Sequence, residues 1–232
     1  FYSDTKQQKS IFRKKTKGTK HYIRMKLSGL FIEEKPYKQP FSFDFSPFKS
    51  KPEKGIQLRT WIKEIDKLAE DKNIDGLIID LGHVRAGLAK RGEIYSALTR
   101  FKNQGKTIFI YAAHGISNAD YHLISMADKI YLNEYTGIDL VGLRIEITFI
   151  RKLLDTLKIV PEVFRVNFDG KSYKTAADQF LNKKMSDEMR ENYGDLLDDW
   201  FDIFVQGISD GRDWDNEFTQ NVIDNGPYFL PQ

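Results

Sequence analysis

Residues 56–81 read IQLRTWIKEIDKLAEDKNIDGLIIDL, and two periods meet inside them. Up to Ala69 the apolar residues fall at Leu58, Trp61, Ile62, Ile65, Leu68 and Ala69, the spacing of one helical face. From Gly76 to Leu81 the apolar residues run together. A short continuous apolar run after a helix is the mark of a strand buried in a parallel sheet.

The same alternation continues outward. Ile94, Ala97, Leu98 and Phe101 form the next helical face, and Thr107 to Ala112 (TIFIYA) the next strand. Tyr121 to Met126 has helical spacing and Ile130 to Leu132 is a further short strand. Phe149 to Leu157 reads as a helix that leads into a strand at Val163, Phe164 and Val166. Upstream, Met25 to Ile32 (MKLSGLFI) reads as a strand. Residues 33–52 read as a loop with prolines at 36, 40, 47 and 52, and its aromatic residues imply packing. Strand–helix alternation with short connections predicts an α/β fold, a mostly parallel sheet covered by helices.

With 232 residues the chain is long enough to bury a sizeable core. It is 41% hydrophobic and 30% charged, and it has no cysteine, which removes disulfides and thiolate chemistry. A net charge of +3 is too small to imply a polyanion partner. Residues 1–26 carry nine lysines and arginines against one acid, Asp4, and read as a basic, mobile N-terminal segment. No aromatic-plus-basic pattern recurs later, so no nucleic acid partner is expected. No apolar run is long enough to span a membrane. The first residue is Phe1, and the polar stretch from Asp210 stops after Gly226-Pro227-Tyr228-Phe229-Leu230-Pro231 without a finished element. The expected organisation is therefore the basic segment 1–26 and one domain over 27–232, cut at its C-terminal side.

The chemistry centres on residues 163–186, VFRVNFDGKSYKTAADQFLNKKMS. Lys171 and Lys174 follow a loop of Asn167, Asp169 and Gly170, and helical spacing resumes through Ala176, Ala177 and Phe180. A lysine acts as a base only where a dry site lowers the ammonium pKa from its usual value of about 10.4. Gly170-Lys171-Ser172 ends like a phosphate-binding loop, but Arg165 stands where such a loop needs its first glycine. Ser186 is placed to cap a long amphipathic helix, with Asp187 and Glu188 in its first turn.

The string Phe164-Arg165-Val166 … Ser172-Tyr173-Lys174-Thr175-Ala176 … Phe180 … Met185-Ser186 resembles the segment that carries the general-base lysine in the signal peptide peptidase A family. These are membrane-associated serine peptidases with a Ser/Lys dyad and a ClpP/crotonase-like fold. This chain has Thr175 where the family usually has serine, and Asp178-Gln179 in place of a common Glu-Pro pair. Leu27-Ser28-Gly29, the run Asp71 to Asp80, and Tyr121 … Ala127-Asp128-Lys129-Ile130-Tyr131-Leu132 resemble further family segments, so the likeness covers about residues 27–232. It implies that Lys174 is the catalytic base, that no cofactor is needed, and that the substrates are signal peptides. It also implies homo-oligomeric assembly and membrane association through a segment outside this sequence, with the catalytic part on the extracytoplasmic side. In the family's long form the lysine lies on a first domain and the serine on a second.

A dyad also needs a hydroxyl. Aligning Tyr121 and Ala127 with the family pattern puts Asn118 at the nucleophile position, with Ala119 and Asp120 where glycines flank it in active forms. Residues 82–88, GHVRAGL, lack the paired glycines of an oxyanion-binding loop. The resemblance therefore implies a lysine-bearing first domain whose serine-bearing partner domain lies elsewhere; a non-catalytic scaffold or peptide-binding domain of the same fold is the alternative. Gly115-Ile116-Ser117-Asn118-Ala119 is one residue from a hydrolase nucleophile elbow, but no histidine follows His122 to serve it. Residues 213–218, DWDNEF, resemble a calcium loop with Phe218 at the turn position that requires glycine. Asp195, Asp198, Asp199 and Asp202 read as the solvated face of the long helix.

Overall fold

A computed structural model of the chain describes residues 18–34, 55–165 and 172–229. They divide into two units, one comprising residues up to Leu140 and from Ile208 onward, the other running from Val141 to Gly207.

The first unit holds the sheet predicted from residues 56–81. Its strands are β1 (Tyr22–Ile32), β2 (Ile56–Gln57), β3 (Gly76–Arg85), β4 (Thr107–Ala112) and β6 (Lys129–Leu132), in the order β2-β1-β3-β4-β6 and all parallel. β3 lies at the centre, as its apolar run requires, with Leu77, Ile79 and Leu81 buried. Gly76 opens it because β4 passes so close that a Cβ there would stand 2.4 Å from the Thr107 carbonyl oxygen. Helix α1 (Leu58–Glu70) buries Leu58, Trp61, Ile65 and Ala69, and α2 (Leu88–Asn103) buries Ile94, Ala97, Leu98 and Phe101. Both stripes match the predicted ones. Each of the larger aliphatic and phenylalanine side chains among them contributes about 1.5–3 kcal/mol by leaving water. Trp61 also meets Phe31 edge-on at 5.9 Å between ring centroids.

Polar residues, two of them inside the family-like segments, turn out to fasten this sheet and its first helix. Asp75 accepts the His21 backbone N–H at 2.8 Å, and Asp128 accepts that of Ile108 at 2.7 Å, fixing where β1 and β4 begin. Lys106 is buried, and its ammonium donates to the carbonyls of Leu68 and Asp71 at the end of α1, at 2.7 and 2.6 Å. Those are among the carbonyls a helix leaves unpaired.

The first strand begins at Tyr22, three residues before the predicted start, so Arg24 and Lys26 of the basic segment belong to the sheet. Residues 1–17 and the expected loop at 35–54 lie outside the described residues. A small second sheet, β5 (Ile116–Ser117), β7 (Gly137–Asp139) and β8 (Tyr228–Phe229), was not foreseen. Strands of two or three residues are too short to show a period. Nor is the stretch after Asp210 without elements. It contains α7 (Asn216–Asp224) and β8, which pairs antiparallel with β7.

The second unit contains α4 (Arg151–Thr156), α5 (Asp178–Leu181) and most of α6 (Asp187–Arg212). The strand expected at Val163 is corrected in part. Residues 161–165 form no strand, Phe164 is 96% exposed, and Val166 lies outside the described residues. An extended apolar run becomes a strand only when a neighbour pairs its backbone, and none pairs residues 161–165. α6 is the predicted long helix. Met189, Phe204 and Val205 on it are buried, whereas Leu196, Trp200 and Ile203 are exposed.

Candidate active site

Lys174 lies in the second unit, in the irregular segment that precedes α5. Its neighbours are fixed on both sides. The Tyr173 hydroxyl donates to Glu191 at 2.9 Å, an acceptor that raises the phenol's pKa, and the Asn192 amide donates to the Tyr173 carbonyl at 3.1 Å. Thr175 is buried, and its carbonyl accepts the Asp178 N–H at 2.9 Å. Lys174, between these two anchored residues, is exposed. Gly170 and Lys171 of the rejected phosphate loop lie outside the described residues.

Asp178 is 1% exposed. Its Oδ1 pairs with the Arg165 guanidinium at 2.6 Å and its Oδ2 accepts the Ser186 hydroxyl at 2.5 Å. Ser186 caps α6 as predicted, since its Oγ accepts the Met189 N–H at 3.3 Å. The sequence reading noted Asp178 only as a departure from a family pattern. Burial was the missing information, because neither partner stands at a spacing from Asp178 that a helical or strand period would report.

The loop that follows β4 lies in the first unit and leads into helix α3 (Asn118–Ile124). Ser117 is the N-cap of that helix. Its Oγ accepts the Asp120 N–H at 3.3 Å and donates to the Asp120 carboxylate at 2.7 Å. Asn118, at the position the family pattern gives to a nucleophile, is the first residue of α3 and half-buried. An amide is no nucleophile. The other Asp120 oxygen pairs with Arg91 at 2.8 Å, with both side chains almost fully buried. Arg91 also donates to the carbonyls of Ala86 and Val84, at 3.1 and 2.5 Å. One guanidinium thus ties the loop after β3 to the start of α3. Asp120 had stood out only for replacing a glycine, and Arg91 gave no signal beside Lys90.

His122 stacks on Tyr95, and burial, with the charge of Arg91 second, lowers its pKa below the usual histidine value. It is half-buried on α3. The stretch that resembled a calcium loop is a helix start, with Asp215 accepting the Phe218 N–H at 2.7 Å as N-cap of α7. Among the described residues no group of histidines and acids is arranged to hold a metal ion, and no helix is long and apolar enough to cross a membrane.

A mostly parallel sheet flanked by helices, with a helix beginning directly at the candidate nucleophile loop, is the α/β architecture that the sequence predicted. The chain belongs to peptidase family S49, whose family model matches residues 100–230. That range takes in both the Asn118 loop and the Lys174 segment, and the signal peptide peptidase A relationship expected from the sequence is the one found. Protease 4 of Haemophilus influenzae is 34% identical over 169 residues, covering 72% of this chain and 26% of that protein. The chloroplastic serine protease SPPA of Arabidopsis thaliana is 29% identical over 181 residues, covering 78% of this chain and 26% of that protein. The chain thus spans about a quarter of the length of these relatives. A solved enoyl-CoA hydratase from Shewanella pealeana covers 71% of this chain and 74% of its own at 13% identity, but with a TM-score of 0.30, too low to add to the fold assignment.

Proposed function

We propose that this chain is the lysine-bearing domain of a signal-peptide-peptidase-type serine endopeptidase. Lys174 is its general base, and the nucleophilic serine is carried by a second domain of the same protein. The unprotonated Lys174 amine takes the serine proton as the serine oxygen attacks the peptide carbonyl. The resulting ammonium returns that proton to the departing amine. Water, deprotonated by the same amine, then hydrolyses the acyl-enzyme. No cofactor takes part.

The observation that carries this reading is the contrast around Lys174: Tyr173 and Thr175 are anchored, and the lysine between them is exposed. A base held at a fixed backbone position and open to one side suits a reaction partner that arrives from another domain or subunit. That partner would also supply the desolvation a lysine base requires. The Asn118 loop supports the same division, since its one hydroxyl, Ser117, is engaged as a helix cap. The matched stretch makes up only 26% of each of the two relatives named above, which leaves room for a serine-bearing domain. Signal peptides remaining in a membrane are the proposed substrates, in keeping with a relative from Enterococcus faecium described as a putative signal peptide peptidase. Membrane association, extracytoplasmic placement and homo-oligomeric assembly belong to the same proposal.

The test compares residues 1–232 alone with the full-length protein on a fluorogenic peptide. The isolated chain should cleave nothing, and the full-length protein should lose turnover in Lys174→Ala. Cleavage by the isolated chain that disappears in Ser117→Ala would overturn the division of the dyad. A full-length protein that is inactive with its natural sequence would favour the scaffold.

A further inference from the structure

We infer that Asp178 is a positioning residue for Lys174, acting through Arg165 on one side and Ser186 on the other; this rests on the reading of Lys174 as the general base. Asp178 belongs to a helix of only four residues, α5, yet it is among the most buried polar residues described. A carboxylate so far from water is costly unless each oxygen is paired. Oδ1 has the Arg165 guanidinium at 2.6 Å. The contact lies off the hydrogen-bond direction, so Arg165 acts as a charge rather than as an aligned donor. Oδ2 has the Ser186 hydroxyl at 2.5 Å.

Those partners matter because of where they sit along the chain. Arg165 lies before Lys174 in the chain, Ser186 caps α6, and the Asp178 N–H closes the turn on Thr175, immediately after Lys174. Asp178 also accepts the Asn182 N–H on its own carbonyl at 2.7 Å. One buried residue therefore joins the chain before Lys174 and the helix beyond through its carboxylate, and the turn after Lys174 through its backbone N–H. The tether from Tyr173 to Glu191 is exposed and screened by water, so the buried junction is the firmer constraint. Moving a reacting group by about 1 Å can cost on the order of a hundredfold in rate. Loosening the junction should therefore appear in turnover before it appears in substrate binding.

The experiment measures kcat and KM of the full-length protein on a fluorogenic peptide, with thermal midpoints, for Asp178→Asn, Asp178→Glu, Ser186→Ala and Lys174→Ala. Asp178→Asn keeps the shape but removes the charge that faces Arg165. It should lower kcat by about ten- to a hundredfold with KM within about twofold, and Asp178→Glu should restore most of the loss. Folded Asp178→Asn protein that turns over at the wild-type kcat overturns the inference, whatever its thermal midpoint. If Asp178→Asn does not fold, Ser186→Ala decides, because it leaves the ion pair and removes one anchor: a kcat lowered about threefold or more supports positioning, and an unchanged kcat overturns it. Lys174→Ala separates the two levels. Activity surviving in that variant removes the base itself and the inference with it. An inactive Lys174→Ala beside a normal Asp178→Asn removes only the positioning role.

Discussion

The loop that opens α3 and the loop that carries Lys174 are organised in opposite ways. In the first, the polar side chains are turned on one another: Ser117 on Asp120, Asp120 on Arg91, and Arg91 on two backbone carbonyls. In the second, the backbone and the flanking side chains are fastened while the lysine is left exposed. A hydroxyl already engaged as a helix cap has little left to offer a substrate. An amine on an anchored backbone has everything still to offer. On the proposed function, the difference separates a loop that serves the fold from one prepared for chemistry.

The largest effect that could break this comparison is on turnover. In the full-length protein, Lys174→Ala should lower kcat by a factor of about 10²–10⁴, the usual contribution of a general base. Lys174→Arg should be as inactive, since a guanidinium does not give up its proton near neutral pH. Lys183→Ala loses only a long contact of 3.7 Å to Asp155 and should stay within about twofold of wild type. Near-normal turnover of the Lys174→Ala variant would return that loop to the ordinary surface.

Stability should respond in the other loop. Arg91→Met leaves the Asp120 carboxylate and two carbonyls without their partner. It should cost about 3 kcal/mol, read from the urea midpoint of residues 1–232. Tyr173→Phe, which removes an exposed hydrogen bond beside Lys174, should leave that midpoint unmoved. Equal effects from the two substitutions would erase the contrast. Ser117→Ala is the milder probe, at about 1 kcal/mol for a lost N-cap, with full-length turnover unchanged.

What the sequence disclosed about these two loops follows from how local each signal is. The strands at Gly76 and Thr107 and the stripes on α1 and α2 were legible because burial imposes a period on neighbouring residues. The N-caps at Ser186 and Ser117 act within three residues, and the first of them was foreseen. The Arg91–Asp120 and Arg165–Asp178 pairs join residues distant in the chain, and no spacing rule reports such pairings. The run at Val163 shows the converse error. Its composition suits a strand, but pairing is decided by the neighbour, and residues 161–165 have none. Asp213 to Phe218 shows another, because acids at alternate positions suggest metal ligands until the backbone reveals a helix start.

The smallest expected effect sharpens the comparison through His122, which stands on α3 close to the Arg91 clamp. Burial, and then the charge of Arg91, holds its folded pKa below the ordinary histidine value of about 6.5. The unfolded chain therefore binds the proton more readily than the folded one. The contribution of His122 is fully present above about pH 6.5 and is lost as the pH falls from there towards the lower folded pKa. Thermal midpoints of residues 1–232 between pH 8 and pH 5 should accordingly decline more in the wild type than in His122→Gln, which cannot titrate. Because Arg91 supplies part of the depression, Arg91→Met should show a shallower His122-dependent decline even though it is less stable throughout. A decline that is identical with and without His122 would mean that the first loop, for all its buried polar contacts, leaves that ring as well solvated as the lysine loop leaves Lys174.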